Sequence, residues 1–266
     1  MNNKALILLV ALVLVAAGAY YFWSTQEPAS PVLPPTVVEL PPIEESEPEI
    51  SFPIEEIAQP PEPVRIEEEL PSLAESDLVI AEWLASVVDP ASFQDLLVPG
   101  QIISRIVATI DSLSSRQVAP QIRPVLPVTG KFVVTGDKNA VILDPENYTR
   151  YNSYIALAEL LDDELLVAAY VRFYPLFQEA YEALGYPDLY FNDRVVEVID
   201  HLLLTPEPEG PIYLVKPEAY YLYADPALER LSGGQKILIR MGKNNAAMVK
   251  LKLTRIRDRI IGRSAM

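Results

Sequence analysis

Four ionisable side chains on one predicted helix are the clearest candidates for chemistry. Asp193, Glu197 and the adjacent pair Asp200 and His201 recur at spacings of three and four residues, which places them along one helix face. Carboxylates with one imidazole can bind a divalent cation or act as general acid and base. His201 is the only histidine in the chain. The competing interpretation is therefore a polar face that meets water or neighbouring arginines.

A second motif resembles a phosphate-binding loop. Leu231-Ser-Gly-Gly-Gln spells the signature with which ABC-type ATPases hold a phosphate at a helix N-terminus. The chain has no Gly-x-x-x-x-Gly-Lys-Ser/Thr loop to cradle the other phosphates. Ser232 and Gln235 also have the spacing of a capping box. The sequence thus predicts a helix N-terminus here and disfavours an ATPase.

Composition limits the remaining chemistry. The chain has no cysteine, which excludes thiolate zinc sites and cysteine nucleophiles. It also lacks the Gly-x-Ser-x-Gly elbow, so serine-hydrolase chemistry would depend on His201 alone. We therefore predict neither a cofactor nor a metal site, and we favour a protein that is not an enzyme.

Tyrosines are concentrated between residues 148 and 223, and a tyrosine combines a flat apolar ring with a hydroxyl suited to interfaces. Tyr148, Tyr151 and Tyr154 recur every three residues beside Arg150. This helix could line a groove that binds a peptide or glycan partner, and burial in the core is the alternative. The tyrosines expected in the core are Tyr170, Tyr174 and Tyr181.

These residues require a folded domain to position them, and residues 72–266 are long enough to form one. Apolar periodicity predicts a helix-dominated α+β domain of about seven to nine helices, with a β-hairpin and two short strands. The predicted helices cover 73–88, 101–113, 145 onward, 162–184 with a kink or break at Pro175, 192–204 and 226 to the end; the hairpin covers 131–143, and the strands cover 212–215 and 220–223.

An uncharged apolar run precedes the domain, from Ala5 to Trp23. As a helix it would span roughly 28 Å, about the thickness of the hydrocarbon layer of a bilayer. We predict a transmembrane signal anchor over residues 1–23. A cleaved signal peptide is the alternative, since Ala17-Gly-Ala has the spacing of a cleavage site, but the aromatic residues 20–23 favour retention. Lys4 orients the C-terminal bulk away from the cytoplasm.

Residues 24–71 have the composition of a linker. They contain twelve prolines, twelve glutamates and a single arginine, a composition that cannot form a core. We predict a disordered, extended spacer. The alternative is a docking peptide, because Pro-Ile-Glu-Glu occurs twice, at 42–45 and 53–56.

Charge is unevenly distributed within the domain. Residues 72–229 carry 24 acids and nine bases, whereas residues 230–266 carry ten bases and one acid. The basic C-terminal helix could fold back onto the acidic body or contact anionic lipid. The net charge of −16 disfavours nucleic acid as a partner.

Several ordered blocks within the domain carry a resemblance to a known family. They are Glu146-Asn-Tyr-Thr-Arg-Tyr, Tyr174-Pro-Leu-Phe-Gln-Glu-Ala-Tyr, Leu184-Gly-Tyr-Pro, Phe191-Asn-Asp-Arg, Ile199-Asp-His-Leu-Leu and Leu231-Ser-Gly-Gly-Gln-Lys through Arg240-Met-Gly. These blocks resemble the bacterial envelope family known as domain of unknown function 3014. The resemblance implies an inner-membrane protein with one N-terminal crossing and a helical domain in the periplasm, and it implies no activity or functional residues.

Together these features predict a non-catalytic binding or scaffold module of the cell envelope, with an unknown envelope protein or glycan as its partner. The alternative is an envelope enzyme that acts on cell-wall or lipid-linked material. Its catalytic residues would be Asp193, Glu197 and His201.

Overall fold

The computed structural model describes residues 50–57, 70–137 and 140–262. The predicted membrane anchor at 1–23 lies outside the described residues, as does most of the predicted linker. Within the described ranges, no helix combines the length and the apolar character needed to cross a bilayer.

The described domain belongs to the predicted class, a helix-dominated α+β fold with an antiparallel sheet. The predicted helices and strands are present, with ends shifted by a few residues. The helices are α1 Ser76–Val87, α2 Ile102–Ser112, α3 Glu146–Thr149, α4 Asn152–Leu160, α5 Asp163–Ala183, α6 Phe191–Leu203, α7 Pro226–Glu229, α8 Gly233–Arg240 and α9 Gly242–Ile260; the strands are β1 Val134–Asp137, β2 Ala140–Leu143, β3 Tyr213–Val215 and β4 Leu222–Tyr223.

Four of the helices form a bundle that contains the main core. Each packs mainly against two neighbours, in the order α2, α5, α9 and α6 around the bundle. On α6, Val195, Ile199 and Leu202 recur at helical spacing and are buried. Each such side chain stabilises the fold by about 1.5 to 3 kcal/mol when removed from water. The apolar stripes of the sequence therefore become the inner faces of this bundle.

Helix α5 continues through Pro175 without the break that the sequence predicted as one outcome. A proline inside a helix removes one backbone hydrogen bond and crowds the preceding turn. Here Pro175 is exposed, while Phe173 and Phe177 on either side of it are buried in the core. Burial of both halves of the helix outweighs the local cost of the proline.

The strands form one antiparallel sheet in the order β1-β2-β3-β4, so the predicted hairpin and the two later strands pair with each other. Val141 on β2 pairs with Leu214 on β3, and Leu214 pairs with Tyr223 on β4. The inner face of the sheet packs against Ile239 of α8 through buried Leu143, Leu214 and Tyr223. Burial raises the pKa of Tyr223 to about 12.

Residues 50–57, which the sequence assigns to the linker, pack on the domain and are called the strap below. Ile57 is 3% exposed and belongs to the main core, with Phe52 and Ile54 packed beside it. The second Pro-Ile-Glu-Glu unit forms a 3₁₀ turn at Ile54–Glu56. The expectation that this stretch contributes nothing to a core was wrong, because its few apolar residues find a surface far away in the chain.

The basic C-terminal helix folds back onto the acidic body, as one of the two interpretations predicted. Asp163 at the start of α5 accepts hydrogen bonds from Lys252 and Arg255 of α9. Arg257 pairs with Asp200, and other α9 pairs join Arg259 to Glu164 and Lys250 to Glu207. Complementary charge therefore fastens α9 to its neighbours, while contact with anionic lipid stays a prediction.

Candidate functional site

The predicted acidic face of α6 lines a cleft of about 750 Å³ between α6 and the strap. Asp193, Glu197 and Asp200 all contribute to its wall, together with Arg194. His201, the fourth member of the predicted cluster, is not part of this lining. The structure thus brings the three carboxylates into one cleft and separates the imidazole from them.

Asp193 holds the strap in place. Its two carboxylate oxygens accept hydrogen bonds from the backbone N–H groups of Ser51, at 2.9 Å, and Phe52, at 2.8 Å. The neighbouring Tyr190 hydroxyl accepts the N–H of Ile54 at 2.8 Å, and the Asn192 side-chain amide donates to the Phe52 carbonyl at 2.9 Å. Asp193 is therefore engaged in securing an extended segment.

Glu197 and Asp200 are paired with arginines. Glu197 is 67% exposed and lies 2.8 Å from Arg194, which also bonds Asp111 of α2 at 2.9 Å. Burial lowers the pKa of Arg194, whereas the hydrogen bonds and charges of Glu197 and Asp111 raise it. Their combined effect is larger than that of burial, so the pKa of Arg194 lies above its ordinary value. In the described part of the chain, no group of three or more Asp, Glu, His or Cys residues is arranged to hold a metal ion.

His201 lies against Ser232 at the start of α8. His201 Nε2 is 2.9 Å from Ser232 Oγ, and the Gln235 side-chain amide donates to the His201 carbonyl at 3.2 Å. Ser232 Oγ also accepts the Gln235 N–H, which completes the capping box that the sequence predicted. Sequence reasoning missed this pair, since 31 residues separate its members and no motif joins them.

The contact resembles the serine and histidine of a hydrolase in only one respect, a hydroxyl within reach of an imidazole. Catalytic triads add a carboxylate that orients the histidine. Among the described residues no carboxylate bonds His201. The Ser232 hydroxyl, moreover, is already the cap of α8. The arrangement therefore serves chiefly to fasten α6 to α8.

The Ser-Gly-Gly segment packs against the end of α2. The N–H of Gly233 donates to the Ser115 carbonyl at 2.7 Å, and that of Gly234 donates to the Leu113 carbonyl at 2.9 Å. A Cβ on Gly234 would lie 2.6 Å from Leu202 Cδ2 and 2.8 Å from the Leu113 oxygen. The amides that would bind a phosphate at such a helix start are thus satisfied by backbone carbonyls.

Two of the residues predicted to line a groove, Arg150 and Tyr154, contact another segment of the protein's own chain. Arg150 Nε donates to the Thr129 carbonyl at 2.9 Å, and Arg150 Nη2 donates to the Gly130 carbonyl at 3.2 Å. The Tyr154 hydroxyl donates to the Leu126 carbonyl at 2.8 Å. Tyr154 and Arg150 therefore hold residues 126–130 against α3 and α4.

The other two tyrosines of this group pack inward. The Tyr148 ring lies so near Gly242 that a Cβ there would be 2.6 Å from it, and Tyr151 packs in the cluster around Ile155. Burial raises the pKa of both hydroxyls. Tyr174 and Tyr181, expected in the core, are buried there, and Tyr170 is packed against it.

An apolar cavity of about 350 Å³ lies within the helical bundle. Its walls come from α1, α2, α5, α6 and α9, and every lining side chain is apolar or aromatic. Sequence reasoning did not predict this cavity, because a void depends on how side chains from five helices fit together. Representative lining residues are Trp83, Ile106, Ala169, Val198, Leu253 and Ile256.

The outer face of the sheet presents apolar side chains to solvent. Tyr213 and Val215 on β3 are 50% and 46% exposed, and Leu222 on β4 is 37% exposed. Phe132 and Tyr220, in the adjoining segments, are also exposed. Exposed apolar and aromatic side chains that lie together often mark a surface that binds another protein.

Comparison with known proteins identifies a family. The profile of a protein family described as "Protein of unknown function (DUF3014)" matches residues 102–257, which is more than half of the 266-residue chain. No curated protein and no solved structure matches the chain significantly. The matched range runs from α2 into α9. It includes the acidic face of α6, the Ser232–His201 contact and most of the cavity wall.

Proposed function

The chain belongs to the DUF3014 family, whose function is unknown, and from its own residues we propose a non-catalytic binding module of the cell envelope. One observation carries the proposal. Asp193, Glu197 and His201, the residues best suited to catalysis, each support a structural contact, with the strap, Arg194 and Ser232 respectively. A side chain committed in this way is poorly placed to exchange protons with a substrate.

We further propose that residues 1–23 anchor the protein in the inner membrane, with the domain in the periplasm. The support is the uncharged run over 5–23, preceded by Lys4. Residues 24–49, rich in proline and glutamate, would then set how far from the membrane the domain can act.

The partner surface that the geometry favours is the outer face of the sheet. Its exposed Tyr213, Val215 and Leu222 lie on neighbouring strands. The Tyr148–Tyr154 region predicted for this role is engaged with residues 126–130. We therefore expect an envelope protein to bind the outer face of the sheet. Apolar side chains of that partner would cover Tyr213, Val215 and Leu222.

A photo-cross-linking amino acid in the full chain, expressed in cells, tests this surface. Placed at Tyr213, it should capture a discrete envelope protein. The matched position is Ala247, an exposed residue of α9 outside the sheet. Equal capture from both positions, or none from Tyr213, would refute the sheet as the partner surface.

An envelope enzyme is the second candidate, favoured by the shared cleft of Asp193, Glu197 and Asp200. Complementation of a deletion strain separates the two. The binding proposal expects Glu197→Ala with His201→Ala to retain function and removal of residues 24–49 to abolish it. Loss of function in the double variant, with the protein still folded and membrane-associated, would favour the enzyme instead.

A further inference from the structure

The bundle cavity is a partly open space between helices, with a volume of about 350 Å³. Native cores leave few spaces larger than a water molecule between their side chains. Small-molecule sites start at about 300 Å³. The side chains that line such a cavity lack some of the contacts that a filled core would give them.

The lining restricts what can enter. Of the described residues that form the wall, none presents polar surface to the cavity. Tyr170 brings a hydroxyl to this lining, and that hydroxyl donates to the Asn192 side chain at 3.1 Å. A ligand with a polar group inside would lose its hydrogen bonds to water without replacement. The part of the ligand that enters must therefore be hydrocarbon.

The shape of the cavity favours a chain over a compact molecule. Its lining on α5 extends from Leu166 to Phe177, which is about 16 Å along a helix. A cavity of about 150 Å³ holds one benzene molecule, so a cavity of this size has room for on the order of a dozen carbon atoms. An apolar space of that capacity, lined along about three turns of α5, suits one unbranched hydrocarbon chain.

Charged groups lie beside one partly buried part of the cavity lining. Leu166 and Leu253 of the lining are only partly buried, and both are close in sequence to the Asp163–Lys252–Arg255 ion pairs. Arg255 is partly exposed, so it can meet an anionic head while its apolar neighbours contact the chain.

From these observations we propose that the cavity binds one acyl chain of a lipid, with the head group outside the bundle. The chain could come from a free fatty acid or from a phospholipid, which share this chemistry. The inference deepens the proposed binding function and rests on it only in treating the domain as non-catalytic.

Photolabelling of the full chain tests the proposal without requiring a variant to fold. Two probes are used: a fatty acid with a diazirine in its chain, and phospholipid vesicles that carry the same labelled chain. We expect label on lining residues of α5, α6 and α9 from at least one probe, and the probe that labels identifies the source. If both probes label only residues 5–23 or exposed side chains, or leave the protein unlabelled, the proposal is overturned.

A cavity-filling variant gives an independent measurement. Ala169→Phe with Val198→Phe places two rings in the cavity, since both residues line it. Labelling of the lining should fall at least tenfold, while the circular dichroism spectrum is retained. Ala247→Phe adds the same ring on the exposed face of α9 and should leave labelling unchanged. Undiminished labelling in the filled, folded variant would also refute the site. The labelling experiments are independent of the cross-linking from Tyr213, so the cavity and the sheet surface can fail separately.

Discussion

The N–H of Gly234 donates to the carbonyl oxygen of Leu113 at 2.9 Å, so that the start of α8 meets the end of α2. The positive end of one helix thereby faces the negative end of another. This relationship explains why a sequence that spells an ATPase signature is found in a chain with no Gly-x-x-x-x-Gly-Lys-Ser/Thr loop. The glycines serve the close approach of two backbones.

Gly234→Ala should destabilise the domain. Alanine is the better helix former, by about 1 kcal/mol, yet its Cβ would lie 2.6 Å from Leu202 and 2.8 Å from the Leu113 oxygen. We expect a net loss of about 1 to 3 kcal/mol in the free energy of unfolding, measured by urea denaturation. Gly233→Ala is the matched control, because its nearest contact would be 3.1 Å. Equal losses in both variants would contradict this account.

Asp193→Asn should release the strap while the bundle stays folded. The carboxylate accepts two backbone N–H groups with its two oxygens, and an amide offers only one. A hydrogen bond to a charged group stabilises by about 1.5 to 3 kcal/mol, so amide exchange at Ser51 and Phe52 should accelerate about tenfold or more. Asp188→Asn alters the same cleft at an exposed position and should leave this exchange unchanged. Unaltered exchange in Asp193→Asn would contradict the role of Asp193.

Asp163→Asn should weaken the acid dependence of stability. Burial raises the pKa of Asp163, but hydrogen bonds from Lys252 and Arg255 outweigh it, and the net pKa lies below the ordinary 3.8. Such a carboxylate stabilises the fold fully above its unfolded pKa, and that stabilisation is lost as the pH falls through the lower folded value. Urea midpoints between pH 7 and pH 2 should therefore fall less steeply in the variant below about pH 4.

The matched control for that experiment is Glu179→Gln. Glu179 is an exposed carboxylate on the same helix, and no ion pair among the described residues engages it. Its variant should keep the acid slope of the natural protein. An Asp163→Asn profile that coincides with the natural one would mean that these pairs do not support the fold.

Arg150→Met should loosen residues 126–130. The guanidinium donates to the carbonyls of Thr129 and Gly130, and methionine keeps the apolar stem without the donors. Limited proteolysis within 126–130 should become several times faster, with a modest loss of overall stability. Arg172→Met is the control, since Arg172 is exposed and contacts the Phe173 ring instead. Unchanged cleavage would show that other contacts hold the segment.

Local signals predicted much of this fold. The apolar spacing of α2 and α6 gave their bounds to within a residue or two, and Ser232 with Gln235 marked the start of α8. These signals succeed because helix periodicity and capping depend on residues only three or four positions apart.

The missed features all depend on distant partners. Asp193 bonds residues more than 140 positions away, and His201 meets Ser232 across 31. Pro175 is tolerated because the bundle buries both sides of α5. Composition marked the strap as linker, since no local pattern reveals the surface that receives Ile57. Spacing alone placed Asp193, Glu197 and Asp200 on one helix face. The partners of Asp193 and Asp200 lie elsewhere in the chain, so spacing could not predict them.

The helices of the bundle are synthesised one after another, and α9 comes last among them. α9 supplies one wall and the basic partners of Asp163, Glu164 and Asp200, yet it is made after α2, α5 and α6. Elongation at about 5 to 20 residues per second makes the roughly 50 residues between α6 and the inner face of α9 take about 3 to 10 seconds. During that interval the nascent chain exposes the apolar stripes that α9 later covers. A nascent or translocating chain must therefore be protected from aggregation until α9 has been synthesised.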